Sequence, residues 1–197
     1  MPAGGTGLVL RGLRKEPATI GKWHLGWDLT YKEGKAKTVD NIDFTKRVAN
    51  GPTDRGFDYF YGLTSPSGPP HLYMVNDMAE KQPNTRFEES GGGLYKIKGG
   101  IGHSDWSADG MQPHLADKML EYLDENKDSD KPFFLYMALT APHIPLFPSK
   151  EFKGKSKIGD YGDLVMMIDD IVGRVNRKLK ELSLIHISEP TRLRCIS

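Results

Sequence analysis

The feature that most constrains the fold is an uninterrupted apolar run at residues 133–139, FFLYMAL. A run that is apolar at every position is typical of a strand covered on both faces, as in a parallel sheet. It lies between two segments with helical periodicity, 109–126 and 160–182. This succession favours a largely parallel central sheet with helices on both faces. We therefore predict an α/β fold with residues 133–139 as a central strand.

The two flanking segments carry apolar residues at helical spacing. Segment 109–126 is predicted to begin under a cap provided by Asp109 and to bury one face of the helix. That face consists of Met111, Leu115, Met119, Tyr122 and Leu123. Segment 160–182 is strongly amphipathic, and we expect it to pack on the sheet. Its predicted packing face consists of Leu164, Ile168, Ile171 and Val175.

The two ends of the chain differ from the middle. Residues 1–17 are expected to be a leader or a truncated start, and residues 18–182 to form the folded domain. Residues 183–197 (SLIHISEPTRLRCIS) lack helix or strand periodicity and resemble translated sequencing adapter, so we expect a non-native or disordered tail. The only cysteine, Cys195, lies in this tail. A single cysteine excludes a disulfide framework within the chain, and we assign it no role as a nucleophile.

Composition excludes two classes of partner. The 27 Lys and Arg residues nearly balance 26 Asp and Glu residues, giving a net charge of +1. Nucleic-acid binding usually needs a basic face, so we expect no nucleic-acid partner. No apolar run approaches the length of a transmembrane helix, so we expect no membrane span.

One short segment that can carry chemistry is GKWHLG, residues 21–26, which follows a predicted strand. Ligands of open α/β sheets bind beyond the carboxyl ends of the strands. In extended chain, Lys22 and His24 point to the same side, where a cation and an imidazole suit an oxyanion. The alternative is a solvated lysine and a hydrogen-bonded core histidine.

A second such segment is TAPHIP, residues 140–145, directly after the apolar run. Pro142 and Pro145 restrict the backbone on either side of His143. A rigidly held histidine at the end of a strand is a candidate site residue. The alternative is a loop histidine that caps a helix or contacts the backbone.

Taken together, four motifs resemble the sulfatase family. In chain order they are GKWHLG (21–26), GFDYFYG (56–62), APHIPLFP (141–148) and GDYGDLVMMIDDIVGRV (159–175). The resemblance runs from about residue 20 to residue 182 and is to arylsulfatase-like enzymes. It implies an alkaline-phosphatase-like fold, with residues 18–182 as a partial catalytic domain.

The resemblance also implies a chemistry. Sulfatases hydrolyse sulfate esters with a formylglycine that a formylglycine-generating enzyme makes from cysteine or serine, beside a calcium ion. By resemblance, Lys22 and His24 would contact the nucleophile and the sulfate. His143 would contact the sulfate or the leaving oxygen as a proton donor. The substrate would be an aryl sulfate, a sulfated sugar or a sulfolipid, and family members are commonly secreted, periplasmic or lysosomal.

The sequence departs from the family pattern in one respect. We expect the modification motif, a Cys or Ser followed by x-Pro-x-Arg, to be absent, and the modified residue and the calcium ligands to lie outside this chain. Asp169 and Asp170 are expected to be helix-surface charges rather than metal ligands. We therefore expect a sulfatase fragment that is inactive alone. The alternatives are a phosphatase or phosphonate-ester hydrolase of the same fold, or a non-catalytic anion-binding module.

Overall fold

A five-stranded mixed sheet forms the framework of the computed structural model, which describes residues 16–129 and 131–184. The strand order is β4-β3-β2-β1-β7. Its strands are β1 (Glu16–Lys22), β2 (Tyr59–Leu63), β3 (Met74–Val75), β4 (Met78–Ala79) and β7 (Phe133–Ala138). A separate two-stranded sheet pairs β5 (Thr85–Phe87) with β6 (Gly100–Gly102), and the helices are α1 (Met111–Glu125) and α2 (Asp160–Glu181).

The three neighbouring strands β2, β1 and β7 are parallel and end at the same edge of the sheet. Gly21 of β1 lies opposite Gly62 of β2 and Ala138 of β7. Gly21 has a φ of +133°, and a Cβ there would collide with the carbonyl oxygen of Ala138. Only glycine fits both the backbone conformation and the space, so this residue sets how closely β1 and β7 approach at their carboxyl ends.

The two faces of the sheet are covered differently. Ala18, Ile20 and Tyr61 point into a core that α1 and α2 complete. On the opposite face, Phe60 belongs to a core completed by the irregular segment 23–48, with residues such as Trp23 and Phe44. The predicted α/β class with a mostly parallel central sheet is confirmed. Both α-helices of the described residues lie on one face, and the short 3₁₀ helix Val39–Asn41 lies within segment 23–48 on the other.

The predicted strand at 133–139 exists, but it is not central. It forms β7, at one end of the strand order among the described residues. Its residues alternate in exposure, and Phe134 and Tyr136 remain 38% and 53% exposed. Tyr136 lies opposite Thr19 of β1, and Phe134 is on the same face of the sheet. On this face, segment 23–48 covers β2 but not β7. The expectation that this strand is covered on both faces is therefore wrong.

Helix α1 matches the prediction closely. All five residues of the predicted face are buried. Its N-cap is Gly110, and no side chain caps the helix start, so the predicted cap by Asp109 is wrong.

Helix α2 packs through a slightly rotated face. Leu164, Ile171 and Val175 are buried as expected, but Met167 is fully buried while Ile168 is only half-buried. The buried carboxylate of Asp163 accepts hydrogen bonds from the backbone of the preceding loop, at Gly154 (2.7 Å) and Ser156 (2.6 Å). These bonds tie the first turn of α2 to that loop.

The predictions for the two ends concern mostly residues outside the described ones. Residues 1–15 and 185–197, which include Cys195, are not among them. Neither α1 nor α2 is apolar enough along its length to cross a bilayer, and the same holds for every helix of the described ranges.

Candidate functional site

The candidate site lies at the carboxyl edge of β1 and β7. Lys22 is the last residue of β1 and is half-buried. The loop with His143 begins directly after β7, which ends at Ala138. Because the two strands are parallel neighbours, the lysine and the loop occupy the same edge of the sheet. This is the edge where α/β sheets bind ligands.

The turn after β1 is held in place by Trp23. The backbone N–H of Trp23 donates to the carbonyl of Leu63 (3.0 Å), which extends the pairing with β2 by one residue. Its indole N–H donates to the carbonyl of Gly26 (2.9 Å), and the buried ring packs edge-on against Phe57. His24, within this fixed turn, is exposed to solvent. The buried tryptophan thus anchors the turn that presents the histidine.

His143 occupies a comparable position in the second loop. Its backbone N–H donates to the carbonyl of Thr140 (3.2 Å), which closes a turn around Ala141 and Pro142. The His143 ring is exposed, and its Nδ1 lies in hydrogen-bonding contact with the carbonyl of Ile144. A carbonyl only accepts, so Nδ1 carries the proton of this bond. Chemistry at this ring would therefore use Nε2.

The structure thus places the three predicted site residues at the ends of two adjacent parallel strands and in the loops that follow them. Lys22 and His24 lie in and after β1, and His143 follows the neighbouring strand. Convergence of their side chains on one anion remains a prediction.

A buried glutamine, to which the sequence analysis assigned no role, contacts the His143 loop. Gln112, in the first turn of α1, and Thr140 are both buried. With its carboxamide oxygen facing the loop, Gln112 accepts from the backbone N–H of Thr140 (3.2 Å) and of Ala141 (2.7 Å). The opposite orientation would set its NH₂ group against two other donors. A glutamine beside Pro113 has no distinguishing sequence signal, because its partners lie 28 residues away.

A second polar cluster joins α1 to the centre of the sheet. The buried Tyr61 hydroxyl donates to Glu80 (2.8 Å) and lies 2.6 Å from Nε2 of His114. Burial lowers the pKa of His114, and Glu80 opposes this through its charge. Burial and the hydrogen bond to Glu80 raise the pKa of Tyr61 far above its usual value. His114 is therefore neutral at pH 7, with Nε2–H donating to the tyrosine oxygen.

The calcium ion that the resemblance implies needs a group of metal-ligating side chains. Within residues 16–129 and 131–184, no three His, Cys, Asp or Glu side chains are grouped to hold a metal ion. Asp169 is exposed on α2, and Asp170 lies 3.8 Å from Arg177 on the same helix. Both are helix-surface charges, as expected.

The expectation that no modification motif occurs in this chain needs a correction. Residues 188–192 read Ser-Glu-Pro-Thr-Arg, the letters of the serine form, Ser-x-Pro-x-Arg. They lie outside the described residues and follow Lys22 and His24 in the chain. The family order is the reverse, with the motif upstream of the GKWH segment.

Comparison with known proteins identifies relatives over nearly the whole chain. The profile of the sulfatase family matches residues 9–185. N-acetylgalactosamine-6-sulfatase from Sus scrofa is 30% identical over 180 residues, which cover 89% of this chain and 29% of that protein. N-acetylgalactosamine-6-O-sulfatase from Bacteroides thetaiotaomicron is 26% identical, with 84% and 37% covered. The chain thus spans 29% and 37% of the length of these two relatives.

Solved structures show the same fold. A Bacteroides thetaiotaomicron sulfatase structure from work on glycosaminoglycan metabolism superposes with a TM-score of 0.68 at 20% identity, covering 89% of this chain and 42% of that one. A sulfatase from Pseudoalteromonas sp. gives a TM-score of 0.60 at 22% identity, covering 90% and 34%. These neighbours have the alkaline-phosphatase-like fold.

Proposed function

Because this chain belongs to the sulfatase family, we propose that it supplies the substrate-contacting side of a sulfuric ester hydrolase site. The observation that carries the proposal is the position of Lys22 and the His143 loop at the carboxyl ends of two adjacent parallel strands. In this proposal Lys22, His24 and His143 converge on one sulfate group.

The assigned roles follow from the charge that develops during hydrolysis. As the S–O bond breaks, negative charge gathers on the sulfate oxygens and on the leaving oxygen. Lys22 stabilises the sulfate oxygens as a fixed cation, and His24 adds a hydrogen bond from the same turn. His143 acts as an imidazolium: Nδ1–H stays bound to the Ile144 carbonyl, Nε2–H passes its proton to the leaving oxygen, and the ring is left neutral.

Two parts of the family chemistry are not assigned to the described residues. A formylglycine would supply the nucleophile, and a calcium ion would supply positive charge beside it. The described residues contain no group of three His, Cys, Asp or Glu side chains that could hold this ion. The GalNAc-6-sulfatase relatives favour a sulfated sugar over an aryl sulfate or a sulfolipid as the natural substrate.

The test compares sulfate and phosphate esters with the full-length natural protein that contains this sequence. We expect hydrolysis of an aryl sulfate in preference to the matched aryl phosphate. Lys22→Ala and His143→Ala should each lower kcat/KM for the sulfate by about 10²–10³-fold. Lys35→Ala, which removes an exposed lysine from segment 23–48, is the matched control. Preference for the phosphate, or full activity in both site variants, would contradict the proposal.

A further inference from the structure

We propose that Gln112 is a positioning residue for His143, an inference that rests on the proposed function. It holds the start of the His143 loop against α1 without touching the substrate. Gln112 and Thr140 are buried, and the carboxamide oxygen accepts the N–H groups of both Thr140 and Ala141. In the same orientation the Thr140 hydroxyl donates to this oxygen as well. A single side chain thus fixes two consecutive peptide groups.

The second of these peptide groups, between Thr140 and Ala141, is also bonded to the backbone of His143. The carbonyl of Thr140 accepts the backbone N–H of His143 (3.2 Å). Thr140 is therefore bound on one side to Gln112 and on the other to His143. Because a buried N–H without a partner is costly, the loop has a strong preference for the conformation in which Gln112 accepts both N–H groups.

Helix α1 is itself fixed to the sheet at the same end. Two residues after Gln112, the His114 ring lies 2.6 Å from the Tyr61 hydroxyl of β2 and packs on the ring of Tyr73, with centroids 4.3 Å apart. The position of Gln112 relative to β2 is thus defined independently of the loop. A continuous series of contacts runs from the centre of the sheet through α1 to His143. Catalytic groups need this kind of support, since displacement by about 1 Å can cost about 10²-fold in rate.

The test uses amide hydrogen exchange and sulfate titration followed by NMR on the full 197-residue chain. In the unmodified chain, the amides of Thr140 and Ala141 should be protected, although their partner is a side chain. Gln112→Met keeps an unbranched side chain but removes the acceptor. We expect it to lower protection at both amides at least about tenfold and to weaken sulfate binding several-fold. The core amides of α1, such as Leu123, should stay protected.

Two further variants make the result specific. Gln112→Glu retains acceptor oxygens and should restore protection at Thr140 and Ala141, which loss of packing alone would not explain. Gln82→Met removes another glutamine bond to the backbone, from Gln82 to the Phe44 carbonyl (2.9 Å), and should leave the His143 loop unchanged. If Gln112→Met does not fold, rapid exchange of Thr140 and Ala141 in the unmodified chain would still overturn the proposal.

The outcomes separate this inference from the proposed function. Unchanged protection and sulfate affinity in Gln112→Met, with binding lost in His143→Ala, would overturn the role of Gln112 alone. Lost protection in Gln112→Met, with no sulfate binding by the unmodified chain, would overturn the proposed function. The same pair of results would also overturn the positioning role, because Gln112 would then only stabilise the loop and would position no sulfate-binding group.

Discussion

At the scale of single residues, the candidate site pairs each exposed side chain with a buried anchor close to it in the chain. Trp23 is buried and His24 beside it is exposed, and the same holds for Thr140 and His143. The anchors contribute packing and hydrogen bonds, so the exposed imidazoles gain a fixed position without being desolvated. This arrangement suits groups that must meet a charged substrate from solvent.

Another residue-scale consequence concerns pH. Burial lowers the pKa of His114 and of His71 below that of an exposed histidine. The unfolded chain therefore binds more protons than the folded one as the pH falls below about 6.5. We expect the free energy of unfolding to be at its full value above that pH and to decrease as the pH is lowered toward 5.

The contribution of His114 can be measured by urea unfolding at pH 7.5 and pH 5.5. His114→Gln keeps a donor for Tyr61 but cannot be protonated, so it should reduce the loss of stability between the two pH values. Gln82→Met, which removes a hydrogen bond to the backbone but no titratable group, is the control and should leave the pH dependence unchanged. Equal pH dependence in the unmodified chain and in His114→Gln would contradict this account.

Sequence patterns and family motifs identified Lys22, His24 and His143 as candidates but gave no indication of Gln112 or His114. The two groups differ in where their partners lie. The turn containing His24 is shaped by contacts within its own segment, such as that of Trp23 with Gly26. His114 and its partner Tyr61 are 53 residues apart. Such pairs depend on how α1 docks on the sheet, which periodicity alone does not determine.

At the scale of elements, a strand with few large apolar residues is nevertheless deeply buried. Strand β1, EPATIGK, is buried at its five inner positions and pairs on both sides. Its small residues, such as Ala18 and Gly21, allow the neighbouring strands to approach closely. Because small residues replace large apolar ones, β1 lacks the long apolar run that usually marks a buried strand. Strand β7 has that run, yet one of its faces is exposed. Hydrophobicity thus predicted correctly that residues 133–139 form a strand, but it did not predict that this strand lies at one end of the strand order.

The close approach at Gly21 leads to an element-scale prediction. Gly21→Ala should destabilise the protein by about 3 kcal/mol or more, because the new methyl group collides with backbone of β7 in addition to the strain of positive φ. Gly26 has a positive φ of +89°, but the space that a Cβ would occupy is open. We therefore expect Gly26→Ala to lower the free energy of unfolding by only about 1 kcal/mol. Urea unfolding measures both, and equal losses would contradict the proposed close packing at the strand ends.

At the scale of the whole molecule, the site depends on long-range pairing. Lys22 and His143 are far apart in sequence and come to one edge only because β1 pairs with β7. The sheet therefore has to form before the two loops can act together. The chain covers 29% of the Sus scrofa relative, and the activity of a complete sulfatase is part of the proposal rather than a property of the described residues.

We expect the purified 197-residue chain to show no aryl sulfate turnover, even with calcium and a co-expressed formylglycine-generating enzyme. In their proposed roles, Lys22, His24 and His143 would stabilise an anion and move a proton, but none of them would replace a formylglycine nucleophile, and loss of a nucleophile costs several orders of magnitude in rate. Ser188→Ala tests the motif-like stretch in the tail and should change nothing. Turnover above the buffer rate that is lost on Lys22→Ala would contradict this expectation.

The most direct test of the central claim is a crystal structure of this chain with bound sulfate. The account predicts one sulfate at the carboxyl edge of β1 and β7, within hydrogen-bonding distance of Lys22 Nζ and of the rings of His24 and His143. A His143 ring more than about 12 Å from both Lys22 and His24, beyond the reach of side chains that share one oxyanion, would contradict it.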